Sequence, residues 1–215
     1  MVAVGRFLSL LFIFTFISLH TSFSQEYKLD VAHSTIGFKI KHMGFSYVRG
    51  RFNKYSGNAT FDMKTKTFSK MLVTIDAESI DTNEPDRDKH LRSSDFFDIK
   101  KYQKLIFEME KTISARGTPK KIIGFLTIRG IKKKIVLNVQ EWGGIRTDPW
   151  GTERLAFEAE AKIDRSEFGL NWNKPLAKEK GIINKVKGVF KKAAGQLVGE
   201  KVILMISVQG IKVGK

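Results

Sequence analysis

The sequence predicts an all-β domain, an eight-stranded antiparallel barrel with a short helix near residues 85–95 and an amphipathic helical insert near 176–195. Two observations carry this expectation. Eight runs alternate apolar and polar residues with period two, at about 35–41, 48–62, 69–77, 104–110, 121–129, 134–142, 154–164 and 201–210. Connections between them are short and rich in turn formers, among them Gly130-Ile131-Lys132-Lys133 and Thr147-Asp148-Pro149-Trp150-Gly151, which suit hairpins. A one-sided sheet of this length has to close or fold in two, and eight closed strands leave an interior that side chains fill or one small ligand occupies. A β-sandwich is the structural alternative.

The first 24 residues read as a secretory signal peptide: Arg6 supplies the basic start, Phe7 to Leu19 the apolar run, and small and polar residues through Ser22-Phe23-Ser24 the cleavage region. That run of 13 residues is shorter than the ~20 a helix needs to span a bilayer, so cleavage near Ser24 or Gln25 is expected. Residues 25–215 then form one domain, long enough to bury a sizeable core. With no cysteine, the chain has neither disulfides nor thiolate chemistry, and its expected location is periplasmic or secreted.

Within the runs, alternation assigns faces. Ile36, Phe38 and Ile40 oppose Lys39 and Lys41; Leu155, Phe157, Ala159, Ala161 and Ile163 oppose Glu158, Glu160, Lys162 and Asp164. Small residues inside the strands, such as Gly37, Gly57, Ala59, Ala77 and Gly124, mark bends or close approach of another group. If the latter, they open a cavity lined by Phe38, Phe61, Val73, Ile75, Phe107, Met109, Leu126, Leu137 and Phe157.

Between the third and fourth runs, Pro85 suits a first helical position. The pairs Asp86 with His90 and Asp88 with Arg92 stand four apart, as solvent-facing ion pairs would. Phe96 and Phe97 follow and are expected to pin this helix against the core, as a structural crossover or as a ligand-gating element.

Several motifs occur in a fixed order: Asp30-x-x-His33-Ser34, Phe38-x-x-x-His42, Gly50-x-Phe52, Arg87-Asp88-x-His90-Leu91-Arg92, Phe96-Phe97-Asp98, Gly124-x-Leu126-Thr127-x-x-Gly130, Trp150-Gly151 and Asp164-Arg165-x-x-Phe168-Gly169-Leu170. Together, from about Tyr27 to Gly210, they resemble the YceI-like family of polyisoprenoid-binding proteins. That resemblance implies a lipocalin-like barrel that holds an isoprenoid lipid, a polyprenyl phosphate or an isoprenoid quinone, for carriage or storage. The lipid is the bound ligand and no cofactor is expected. A buried tail gains ~0.8 kcal/mol per methylene, and no catalytic group is needed.

For the head group, His33, His42, His90, Arg87 and Arg92 are the candidates, since imidazoles and guanidinium forks bond quinone or phosphate oxygens, and Arg129 and Arg165 are further arginines that could meet a diphosphate or pair with surface acids. The same three histidines frame the rival reading, a metal-assisted or acid/base hydrolase, although no short ligand spacing links them and no metal site is assigned. No nucleophile elbow, phosphate loop or dinucleotide fingerprint is present. The net charge of +16 favours anionic partners; export and the lack of any recognition motif argue against nucleic acid. The insert after Trp172 departs from the family pattern. Ile182, Ile183, Val186, Val189 and Phe190 share one helical arc flanked by lysines, as in a barrel cap, an anionic-membrane contact or a flexible tether. A second copy of the chain, in a homodimer, is the remaining partner the sequence admits.

Overall fold

The computed structural model describes residues 24–173 and 197–214; the expected leader through residue 23 and the insert at 176–195 lie outside the described residues. Alternation becomes wall. On the strand Glu153–Asp164, Leu155, Phe157, Ala159, Ala161 and Ile163 are all buried, whereas Glu158 and Lys162 between them are exposed. In chain order the strands are β1 (Ser24–Leu29), β2 (Thr35–His42), β3 (Ser46–Phe52), β4 (Tyr55–Asp62), β5 (Thr67–Asp76), β6 (Ile80–Asp81), β7 (Lys104–Ala115), β8 (Thr118–Ile128), β9 (Ile131–Thr147), β10 (Glu153–Asp164) and β11 (Val198–Lys212). All pairings are antiparallel, in the order β1-β4-β5-β7-β8-β9-β10-β11-β2-β3-β6, and β1 also pairs with β11 to close the ring.

The structure is thus the closed eight-stranded barrel, once three bends are recognised. β1 and β2 run along the same strand, Leu29 opposite Gly210 and Thr35 opposite Ser207, with the short turn Val31–His33 between them. β3 and β4 are one stave broken at Asn53-Lys54, and β5 and β6 one stave broken at Ala77–Ser79. The last two breaks support each other: the Asn53 amide donates to the Ser79 carbonyl at 3.0 Å and the Asp76 amide to the Lys54 carbonyl at 2.9 Å. The Tyr55 hydroxyl reaches the Ser34 carbonyl at 2.6 Å, linking the first break to the second. A crease therefore crosses adjacent staves.

The expected continuous run at 48–62 is corrected by this crease, and β1 lies outside all eight expected runs. Only Tyr27 of β1 is buried, so its sequence shows little alternation. The hairpins at Arg116-Gly117 and Arg129-Gly130 have positive φ at both residues (51° and 73°; 52° and 74°), the backbone that right-twisted two-residue hairpins need.

Helix α1 (Pro85–Arg92) stands where the sequence places it. Pro85 opens it, and the Glu84 carboxylate accepts from the amides of Asp86 and Arg87. The expected ion pairs along it do not form. Asp88 is buried and accepts from the Thr82 amide (2.9 Å) and hydroxyl (2.5 Å), His90 bonds Asp95 (2.9 Å), and Arg92 donates to the carbonyls of Glu78 and Ile80. Helical spacing permits a pair; here β6 and its flanks give Asp88 and Arg92 partners at the helix–sheet contact, and the segment after the helix gives His90 its own. Phe97 packs edge-on against Phe52, with ring centroids 5.9 Å apart, and docks the segment onto the core.

Candidate functional site

The barrel has unlike ends. At one, where β4 meets β5 and β9 meets β10, the rings of Phe61, Phe68, Trp142 and Phe157 contact one another at centroid distances of 5.1–6.4 Å and form a floor. At the other, α1 and the ends of β2, β10 and β11 surround a mouth.

Two apolar spaces run between them. The upper one, about 520 Å³, is bordered by Phe38, Ile40, Val48, Leu91, Ile163, Val202 and polar residues of the mouth. Below it a narrower space of about 120 Å³ is lined by Tyr27, Gly57, Ala59, Met71, Val73, Ile75, Phe107, Leu137, Phe157 and neighbours. Phe52, Leu105, Ile128 and Leu204 border both, so they make a waist. An upper space of this size is that of a small-molecule site. The lower one compares with the ~150 Å³ apolar cavity that holds a benzene ring.

Of the nine expected cavity residues, Phe38 lines the upper space, and Val73, Ile75, Phe107, Leu126, Leu137 and Phe157 the lower one. Phe61 and Met109 line neither. Phe61 belongs to the floor, and Met109 packs against the core, its sulfur 3.6 Å from the Thr112 hydroxyl. The glycines divide likewise. A Cβ at Gly124 would meet the Phe107 ring at 2.7 Å and one at Gly57 the Leu72 carbonyl oxygen at 2.9 Å, so both missing side chains reflect close approach of neighbouring groups, although Gly57 and Ala59 also border the lower space.

Among the head-group candidates, His42, His90 and Arg87 border the mouth. His90 is held edge-on to both Phe96 and Trp172, with centroids at 5.0 and 4.7 Å, and bonded to Asp95. Arg87 donates to the Thr82 hydroxyl and carbonyl, both at 2.8 Å. Arg92 lies away from the cavity, spent on the two carbonyls beneath α1. His33 stands on the outer wall at the first bend, bonded to Asp30 at 2.8 Å. Asp30 also accepts from Arg154, which bridges to Asp148 at 2.8 Å. Burial pushes the Asp30 carboxyl up, but the bonds from Arg154 and His33 outweigh it and hold the group below its ordinary range. Hence the three histidines are not gathered around one point. No group of three or more His, Asp or Glu side chains placed to hold a metal occurs among the described residues.

Sequence reasoning left out the waist, and it placed Arg165 only among several arginines able to meet a diphosphate, without marking it as buried. Arg165 follows β10, is 4% exposed and borders the upper space. It donates to the carbonyls of Gly199 (2.9 Å), Trp172 (2.9 Å) and Leu170. Among the described residues no carboxylate bonds it, and burial lowers its pKa. Such a cation beside an apolar space suits an acceptor-bearing group on a ligand. Its signal in the sequence was its following Asp164 in a strand-ending motif, which does not reveal burial.

A YceI-like domain model matches residues 27–210. The chain is 37% identical over 186 residues to Protein YceI of Salmonella agona, covering 83% of this chain and 96% of that one. It is 37% identical over 149 residues to a UPF0312 protein of Vibrio cholerae, covering 68% and 78%. Among solved structures, the Campylobacter jejuni YCEI protein superposes with a TM-score of 0.62 at 33% identity over 86% of this chain and 97% of that one. A polyisoprenoid binding domain from Saccharophagus degradans superposes with a TM-score of 0.57 at 16% identity, over 87% and 98%, a likeness of fold.

Proposed function

The chain belongs to the YceI-like domain family, and from that premise we propose that it is a periplasmic or secreted binding protein that holds an isoprenoid lipid in its barrel for carriage or storage. The observation that carries this reading is the apolar space that runs from the mouth through a waist toward an aromatic floor. The tail enters from the mouth, fills the upper space and reaches the waist; each buried methylene contributes ~0.8 kcal/mol, less the cost of ordering the chain. His42, His90, Arg87 and Arg165, which are among the donors that border the upper space, meet the head group, a phosphate or a quinone carbonyl. Chemistry on the ligand is not part of this reading, which assigns no catalytic residue and no cofactor. Export rests on the basic and apolar pattern of residues 1–24.

Organic extraction of the purified protein followed by mass spectrometry tests this. We expect an isoprenoid species at a constant ratio to protein, displaced in competition by a short polyprenyl phosphate or a short-chain quinone. Repeated recovery of no lipid, together with failure to take up either added compound, overturns it.

A further inference from the structure

Between β2 and β3 the chain turns through Met43-Gly44-Phe45, with Met43 and Gly44 at φ 53° and 81°. Phe45 is 79% exposed, and Met43 and Tyr47 are each 42% exposed. A lone exposed apolar residue is ordinary, but three within five positions, at the lip of an apolar cavity, make a patch. The same hairpin forms one side of the mouth, since its Ile40, His42 and Val48 border the upper space. Its charge is of one sign. No Asp or Glu occurs from residue 31 to residue 61, and Lys39 and Arg49 pair across the two strands, as do Lys41 and Tyr47. The Lys41 ammonium lies 5.9 Å from the Tyr47 ring centroid.

We propose that this hairpin docks the mouth onto an anionic lipid bilayer. Met43 and Phe45 enter the interfacial layer while Lys39, Lys41 and Arg49 face lipid phosphates. The inference rests on the lipid-binding reading, because a tail that leaves a bilayer for the barrel avoids water only if the two openings touch. The opposite end supplies a control. Trp150, 85% exposed, sits in the β9–β10 hairpin beyond the floor, with the Asp148 carboxylate bonded to its amide. An exposed aromatic beside a carboxylate and away from the mouth is not expected to dock.

The test is cosedimentation of the exported protein, without the expected leader, with vesicles of phosphatidylcholine alone and of phosphatidylcholine mixed with phosphatidylglycerol. The native protein sediments with the mixture and not with phosphatidylcholine alone, and binding weakens with salt. Met43→Ser with Phe45→Ser lowers binding about tenfold. Lys39→Glu with Lys41→Glu lowers it by about tenfold or more and flattens the salt dependence. Trp150→Ser changes nothing. Hairpin variants that bind like the native protein overturn the proposal. So does loss of binding only in Trp150→Ser, or only when Lys185, Lys187, Lys191 and Lys192 are replaced by glutamine, which assigns docking elsewhere. A native dimer that the Met43→Ser, Phe45→Ser variant splits, with vesicle binding unchanged, also overturns it, making the patch a contact between copies. Lipid extracted from the same preparations separates the two readings: native protein that carries lipid yet does not sediment with the mixed vesicles counts against the hairpin alone, and docking intact with no lipid in any preparation counts against the cavity alone.

Discussion

Floor and mouth are ends of one barrel, held by different chemistry. At the floor, Phe61, Phe68, Trp142 and Phe157 fill the cross-section ring against ring. At the mouth, arginines hold the backbone from its edges: Arg92 donates to Glu78 and Ile80, Arg129 to Ser94 and Phe96, and Arg165 to Gly199, Leu170 and Trp172. Packing stabilises by occupying volume. Guanidinium–carbonyl bonding fixes chain segments while leaving the space they surround empty, so this end can be both ordered and hollow.

The comparison breaks most visibly at the floor. Phe61→Ala removes a fully buried ring and is expected to cost about 3–5 kcal/mol in chemical denaturation, while the protein that remains folded keeps its lipid. At the mouth, Arg165→Met strands three carbonyls but removes a buried charge. We expect a loss of about 1–3 kcal/mol together with loss of extracted lipid, the reverse of the floor variant's pattern. A midway substitution sharpens the boundary. Val73→Phe fills the lower space, where some room exists, and is expected to cost about 1 kcal/mol and to shift the recovered lipids to shorter chains in mass spectrometry.

Acid acts at both ends. Lys201 is the main reason the Asp164 carboxyl is lowered from 3.8 to about 2, and Arg154 holds Asp148 below its ordinary value. The unfolded chain takes up protons at these groups before the folded chain does. Their stabilisation is therefore present above about pH 4 and is lost as pH falls toward about 2, which urea midpoints across that window will show. Smallest of all, Lys132→Ala removes an exposed ion pair to Glu108 and is expected to shift stability by no more than about 0.5 kcal/mol.

Much of the barrel was legible in the chain because alternation reports which face of a strand is buried. β10 is the clearest case, and the helix was announced by Pro85. What alternation cannot report is a bend. The break at Asn53-Lys54 depends on Ser79, 25 or more positions away, and nothing local distinguishes it from a continuing strand. β1 escaped because one buried residue, Tyr27, leaves no pattern. The cavity list came mostly from the correct face, yet Phe61 and Met109 share that face and sit too near the floor, a matter of height along the barrel that period-two reasoning does not contain. His33 and His42 looked equivalent by residue type; Asp30 and Arg154 claim the first on the outer wall, and the second ends a strand at the mouth. Arg165 was hidden in the opposite way, since a charged residue at a strand end is ordinarily exposed.

Asn173 and Val198 hold each other through two hydrogen bonds, the Asn173 amide donating to the Val198 carbonyl at 2.8 Å and the Val198 amide to the Asn173 side-chain oxygen at 3.2 Å. Residues 173 and 198 are thus fixed side by side. Doubling the length strung between two points already tied adds only ~0.6 kcal/mol of closure entropy. A change in the number of residues between those two points therefore alters the closure entropy little.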